Sequence, residues 1–228
     1  MQRLGYTSAE ELLAEKFHMH EELLRRLNPG ATFGKAGTRI VVASVERHSL
    51  PHEITRLEID AAQQRVRTYD KEERIVAIYP ATVGSEERPS PTGEFKVTQV
   101  TENPVYRYDP ALRLRGVHVK EKLKLPPGPN NPVGAVWISL SAEGYGIHGT
   151  PDPEKIGKTA SHGCIRLTNW DALELAKQLS KGTPVVIADS IKTGSLQARG
   201  TRRQPIAVEA QTAPPLPKRN PARAGSSA

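Results

Sequence analysis

The chain has 228 residues, 37% hydrophobic and 25% charged, the balance of a globular protein able to bury a core. Its longest apolar runs, RIVAIYPATV and TPVVIAD, are far shorter than the roughly 18 residues that cross a bilayer, which excludes a transmembrane helix. The formal net charge of +7 points to nucleic acid only until it is located: residues 190–228 carry seven basic residues against one acidic, leaving 25 basic against 24 acidic in residues 1–189.

Residues 1–15 lack the basic start, apolar stretch and small-residue cleavage site of a signal peptide, so the chain is expected to be cytoplasmic, processed or missing its true start. Ser8 followed by Glu11 forms a capping box that should open a helix, with Leu12, Leu13 and Phe17 on one face. A second short helix carries Leu23, Leu24 and Leu27 and ends at Asn28-Pro29-Gly30. GTRIVVASV then reads as a strand. From His52 the pattern changes to short alternating runs bounded by turn residues: ITRLEID, QRVRTY, RIVAIYPATVG, GEFKVTQV, AVWISLS, GYGIHGT and TPVVIAD. Strands at this spacing predict a mainly β sandwich or barrel-like domain. One helix interrupts it, WDALELAKQLSK, with Thr168 and Asn169 as caps and Gly182 as its stop. The basic connection between Thr101 and Asn131 is long enough to be a lid over a site or an elaborated hairpin. After Ser190 the Pro, Ala, Arg, Gln and Ser content predicts a disordered tail. The expected domains are therefore 1–47, 52–189 and the tail 190–228.

Cys164 is the single cysteine, which excludes an intrachain disulfide, and it sits in GYGIHGTPDPEKIGKTASHGCIRLTN among Gly, Ser, His and Arg rather than in an apolar run. A thiol becomes a nucleophile as thiolate, and a neighbouring imidazole can stabilise that form as an ion pair. His148 and His162 both qualify. In an extended SHGCIR segment His162, Cys164 and Arg166 share one face, which favours His162; a base facing a nucleophile comes more naturally from an adjacent strand, which favours His148. Gly163 allows close approach of a carbonyl to the N–H groups of Gly163 and Cys164, as an oxyanion hole requires. Gly149 permits a turn whose carbonyl holds the second imidazole nitrogen, and Arg166 offers a guanidinium for a carboxylate. His148, His162 and Cys164 have the ligand types of a zinc site, but no second cysteine or nearby carboxylate completes it.

IHGT, a loop and SHGCIRL together resemble the active-site signature of the L,D-transpeptidases with the YkuD-type catalytic domain. PATVGSEERPSPTGEFKV is similar to that family's strand and Pro-Thr-Gly turn, and PPGPNNPVGAVWISL to the stretch before its histidine, so the resemblance spans about His52 to Asp189. It implies a YkuD-type β-sandwich with one helix, and a cysteine enzyme that acts on peptidoglycan stem peptides without a cofactor or metal. Carried over, Cys164 is the nucleophile and His148 the base, Gly149 orients His148, and Ser161, His162 and Gly163 shape the oxyanion region. Some members have Asn where this chain has Arg166. The front segment resembles a LysM-type glycan-binding unit, making the whole α+β, and a peptidoglycan substrate implies the periplasm or cell envelope. Against transpeptidation to an amine stand a cysteine carboxypeptidase that uses water and a non-catalytic wall-binding protein.

Overall fold

The computed structural model describes residues 3–44, 53–85, 88–112, 119–159, 161 and 163–191, which form one compact unit. The predicted tail and His162 lie outside the described residues. Helix α1 (Ala9–Lys16) is capped by Ser8, whose Oγ accepts from the Glu11 N–H at 2.9 Å. The Glu11 carboxylate reaches back one residue beyond the cap, to the N–H and hydroxyl of Thr7. Helix α2 (Glu21–Leu27) follows, and Ala14, Met19 and Leu24 form a small core with Leu13, Phe17, Phe33 and Val42 packed on it. Leu12, Leu23 and Leu27 stay exposed.

The strand expected at GTRIVVASV does not form in residues 38–44. Among the described residues that segment has no neighbouring strand, and its backbone groups go to side chains instead. Asn28 donates from Nδ2 to the Val41 carbonyl at 2.7 Å and accepts the Val41 N–H on Oδ1, while the Ala43 N–H donates to Met19 Sδ. The front module is helical where an α+β unit was expected.

Every alternating run from residue 54 onward contains a strand. In chain order these are β1 (Arg56–Asp60), β2 (Arg65–Tyr69), β3 (Ile75–Pro80), β4 (Thr82–Val83), β5 (Gly93–Glu102), β6 (Tyr106–Tyr108), β7 (Leu123–Leu125), β8 (Val136–Leu140), β9 (Gly146–His148), β10 (Ile165–Arg166) and β11 (Pro184–Ala188). Nine of them make one sheet in the order β3-β2-β1-β11-β5-β8-β9-β10-β4, and β6 pairs with β7 as a separate hairpin. The single strand expected at RIVAIYPATVG is two: β3 and β4 are separated by Ala81 alone yet lie at opposite edges of the sheet. The sheet is therefore rolled until its edges meet. Gln64 staples the seam, donating from Nε2 to the Val83 carbonyl and accepting the Val83 N–H at 2.8 Å.

β5 belongs to both halves of the roll, with a register irregularity between Val97 and Gln99 where it passes from one to the other. Leu57, Ile59 and Val66 from one half meet Val136, Ile138, Ile147 and Ile165 from the other in one core. Helix α3 (Asn169–Gln178) adds Ala172, Leu175 and Ala176 to it. This is a mainly β domain with few helices. Among the described residues no helix is long and apolar enough to cross a membrane.

Candidate active site

β9 and β10 run parallel, with Ile147 opposite Ile165 and His148 opposite Arg166. The two isoleucines are fully buried and fix this register from the core side. Side chains alternate across a strand, so His148 and Arg166 emerge together on the other face. Cys164 directly precedes β10, with its Sγ 3.9 Å from the Gly144 carbonyl just before β9. Thiol and imidazole are thus carried by neighbouring segments of the chain, one leading into β10 and the other ending β9.

His148 is buried, stacked on Trp137 with ring centroids 5.4 Å apart and planes inclined by 19°. Its Nδ1 lies 2.6 Å from the carbonyl of Gly149. In the neutral ring this selects the Nδ1–H tautomer and leaves Nε2 with a lone pair. Burial is the main force on its basicity, with Arg166 adding to it and the Gly149 carbonyl opposing, and the pKa falls from 6.5 to about 4. Burial also pushes the Cys164 thiol up, against smaller lowering effects from the Gly146 backbone and Arg166. Both shifts favour the uncharged thiol and imidazole.

The loop before Cys164 is tied internally. Ser161 is buried, donates from Oγ to the Cys164 carbonyl at 2.6 Å and accepts the Gly163 N–H at 3.2 Å. The Gly163 N–H, expected in an oxyanion hole, is therefore directed to Ser161 in this state. Gly163 has φ +103°, and a Cβ there would lie 2.8 Å from the Tyr145 ring, so the turn into Cys164 needs glycine. Its carbonyl accepts from Ser90 Oγ at 2.7 Å, an anchor that the sequence reading missed.

Arg166 is half-buried and makes no ion pair with any described residue. A guanidinium held this way beside a thiol is suited to an incoming carboxylate. Tyr106 on β6 is a further residue that sequence reasoning missed: burial raises its phenol first, with Cys164 and Tyr108 adding to the rise and Arg166 opposing it. The long connection holds a hairpin, β6–β7. Its ends are clasped by fully buried Asn131, which donates from Nδ2 to the carbonyls of Pro104 and Pro126. Among the described residues no three His, Cys, Asp or Glu side chains gather as a metal centre.

The L,D-transpeptidase catalytic-domain profile, YkuD, matches residues 54–187. The YkuD protein of Bacillus licheniformis is 33% identical over 180 residues, spanning 78% of this chain and 92% of the relative. The YqjB protein of Bacillus subtilis is 37% identical over 122 residues, 51% of this chain and 61% of the relative, and the YbiS protein of Escherichia coli is 29% identical over 206 residues, 87% and 66%. A solved L,D-transpeptidase from Mycobacterium smegmatis has a TM-score of 0.47 at 22% identity, covering 58% of this chain and 57% of that one; the assignment rests on the sequence matches. The chain belongs to the YkuD-type L,D-transpeptidases, a family of peptidoglycan-modifying acyltransferases.

Proposed function

We propose that this enzyme is a cysteine L,D-transpeptidase acting on peptidoglycan stem tetrapeptides, with Cys164 as nucleophile and His148 as base. The observation that carries the reading is the parallel pairing of β9, which ends in His148, with β10, which follows Cys164 directly, together with the engagement of His148 Nδ1 by Gly149, which leaves the Nε2 lone pair as the base. Sγ attacks the carbonyl of the third residue's L-centre while the thiol proton passes to Nε2. The C–S bond forms, the C–N bond to the terminal D-alanine breaks, and Nε2 returns the proton to the departing amine. An acceptor amine then attacks the thioester, gives its proton to Nε2, and Sγ recovers it. Arg166 receives a carboxylate of the donor peptide, Tyr106 covers the thioester, and Ser161, His162 and Gly163 shape the oxyanion region, with the Cys164 N–H as one donor.

Incubation with a purified disaccharide tetrapeptide tests this. D-Alanine release with formation of a cross-linked dimer is expected, and Cys164→Ala abolishes both. Release of D-alanine with free tripeptide as the sole product identifies water as the acceptor and makes the enzyme a carboxypeptidase. No release from the unaltered enzyme overturns the reading.

The same proposal gives the segment 1–47 a LysM-like role in holding glycan strands and 52–189 the catalysis. In its support, a cleft of about 620 Å³ lies between α1, α2 and Trp170, with carboxylates and an aromatic ring on its wall as sugars require. Sedimentation with intact sacculi, with and without residues 1–47, measures that role. The substrate lies outside the cytoplasmic membrane, which puts the working protein in the periplasm or cell envelope.

A further inference from the structure

Thr168 caps α3 alone, its Oγ1 accepting from the Asp171 N–H at 3.2 Å, so the side chain of Asn169 is released from capping. It turns inward instead and is 2% exposed. Oδ1 accepts the Ala135 N–H at 2.9 Å and Nδ2 donates to the Pro129 carbonyl at 3.2 Å. The amide is wedged between two glycines: a Cβ on Gly134 would fall 2.1 Å from Oδ1, and one on Gly149 2.2 Å from it. Gly149 supplies the carbonyl that holds Nδ1 of His148, and its own N–H donates to the Val136 carbonyl at 3.3 Å. Gly149 is therefore held by β8 through its N–H and by Asn169 at its Cα, and the peptide that aims the imidazole packs on Gly134, where a Cβ would fall 2.5 Å from the Gly149 carbonyl carbon.

The front helices reach the same point. Burial raises the carboxyl of Glu15, near the end of α1, and the side chains of Asn169 and Tyr6 oppose that rise. His18 stacks on Trp170, the next residue of α3, at 5.0 Å between centroids. The strand-like segment before α1 is also bound to the catalytic domain, with the Leu4 N–H donating to the Pro127 carbonyl and the Asn130 N–H to the Leu4 carbonyl.

We propose that Asn169 is a positioning residue for His148, keeping the Gly149 carbonyl aimed at Nδ1. The inference rests on the reading of His148 as the base. Loss of Asn169 leaves Gly149 room to turn, so the imidazole samples orientations and tautomers that do not serve Cys164. A misplacement of this kind costs roughly 10- to 100-fold in kcat with KM little changed.

The test uses full-length protein with 15N-labelled histidine, in which the Nδ1–H signal of His148 is identified by its absence in His148→Ala. Asn169→Ala is expected to lose that signal and to lower kcat for D-alanine release by about tenfold or more, with KM within about twofold. Asn169→Asp keeps the Oδ1 acceptor for the Ala135 N–H and is expected to retain more of the Nδ1–H signal and of kcat than Asn169→Ala. An Asn169→Ala enzyme with wild-type kcat and an intact Nδ1–H signal overturns the positioning role. If His148→Ala itself leaves D-alanine release unchanged, it is the assignment of the base that fails, which separates the two ideas.

Discussion

His148 and Arg166 are register partners across the parallel strands β9 and β10, so the His148 imidazole lies beside a positive charge. That neighbour and the low-dielectric surroundings both oppose imidazolium. A base that is neutral at rest and an un-ionised thiol describe an enzyme that makes its thiolate during attack and does not store it.

This fixes the pH behaviour. Because Cys164 is raised above its ordinary value of 9.0 by burial, its alkylation by iodoacetamide is expected to rise still between pH 8 and pH 9. A rate that levels off below pH 7 contradicts the neutral pair. Stability follows the depressed pKa of His148. Its unfolded form takes up a proton near 6.5 and its folded form only near 4, so stability is full above 6.5 and lost as pH falls from 6.5 to 4. The loss attributable to His148 is on the order of 3 kcal/mol. Urea denaturation at pH 7 and pH 4 should show a larger drop for the unaltered protein than for His148→Gln.

Arg166→Ala is expected to act mainly on donor binding. A charge-assisted hydrogen bond contributes about 1.5–3 kcal/mol, so KM for a donor that ends in a carboxylate should rise roughly 10- to 100-fold. Lysine restores the charge but not the bidentate geometry and should recover only part of the loss. Steady-state kinetics on a donor and on its C-terminal amide separate the two contributions. An equal effect of Arg166→Ala on both substrates rules out carboxylate recognition.

The strands were legible because alternation of apolar and polar residues is a local property, and all seven runs hold a strand. Which strands are neighbours is not local. Nothing in RIVAIYPATVG says that Ile75–Pro80 and Thr82–Val83 face opposite edges, since that depends on the roll of the whole sheet. Cys164 was conspicuous as a lone thiol among Gly, Ser and His. The choice between His148 and His162 was open at the level of parity, because the parallel crossover that places β9 beside β10 leaves no trace in spacing. Asn169 reads from sequence as a helix cap; only the depth of Gly134 and Gly149 shows that its amide has a second position to fill. GTRIVVASV has strand composition and lacks a strand partner, so tertiary context overrode propensity.

Tyr106 supplies a prediction about the hairpin. Burial raises its phenol, with Cys164 acting in the same direction and Arg166 against it, and a ring close to a thioester would exclude water without taking part in the chemistry. Tyr106→Ala is expected to shift the product ratio from cross-linked dimer toward free tripeptide, by about threefold or more for the loss of one large side chain from a water-excluding contact. Tyr106→Phe keeps the ring and should keep the ratio. Product analysis by liquid chromatography reads both variants, and an unchanged ratio in Tyr106→Ala removes the hairpin from control of the acceptor.

The last prediction concerns an ion pair far along the sheet from the thiol. Asp60, at the end of β1, and Arg67 on β2 are both buried, with Arg67 Nη1 3.3 Å from Asp60 Oδ2. Asp60 also accepts the N–H groups of Gln63 and Ile191, while Arg67 Nη2 donates to Gln63 Oε1 at 2.6 Å. The desolvation of two charges consumes most of what their attraction contributes, so the pair adds little net stability, but removing one member strands the other in a dry environment. Asp60→Ala should therefore cost about 3–5 kcal/mol. Replacing both residues, Asp60→Leu with Arg67→Met, should leave stability within about 1–2 kcal/mol of the original, because no orphaned charge remains. Urea denaturation of the three proteins decides it. A double variant as unstable as Asp60→Ala would mean that the hydrogen bonds to Gln63 and Ile191, and not the charge pairing, hold this end of the sheet.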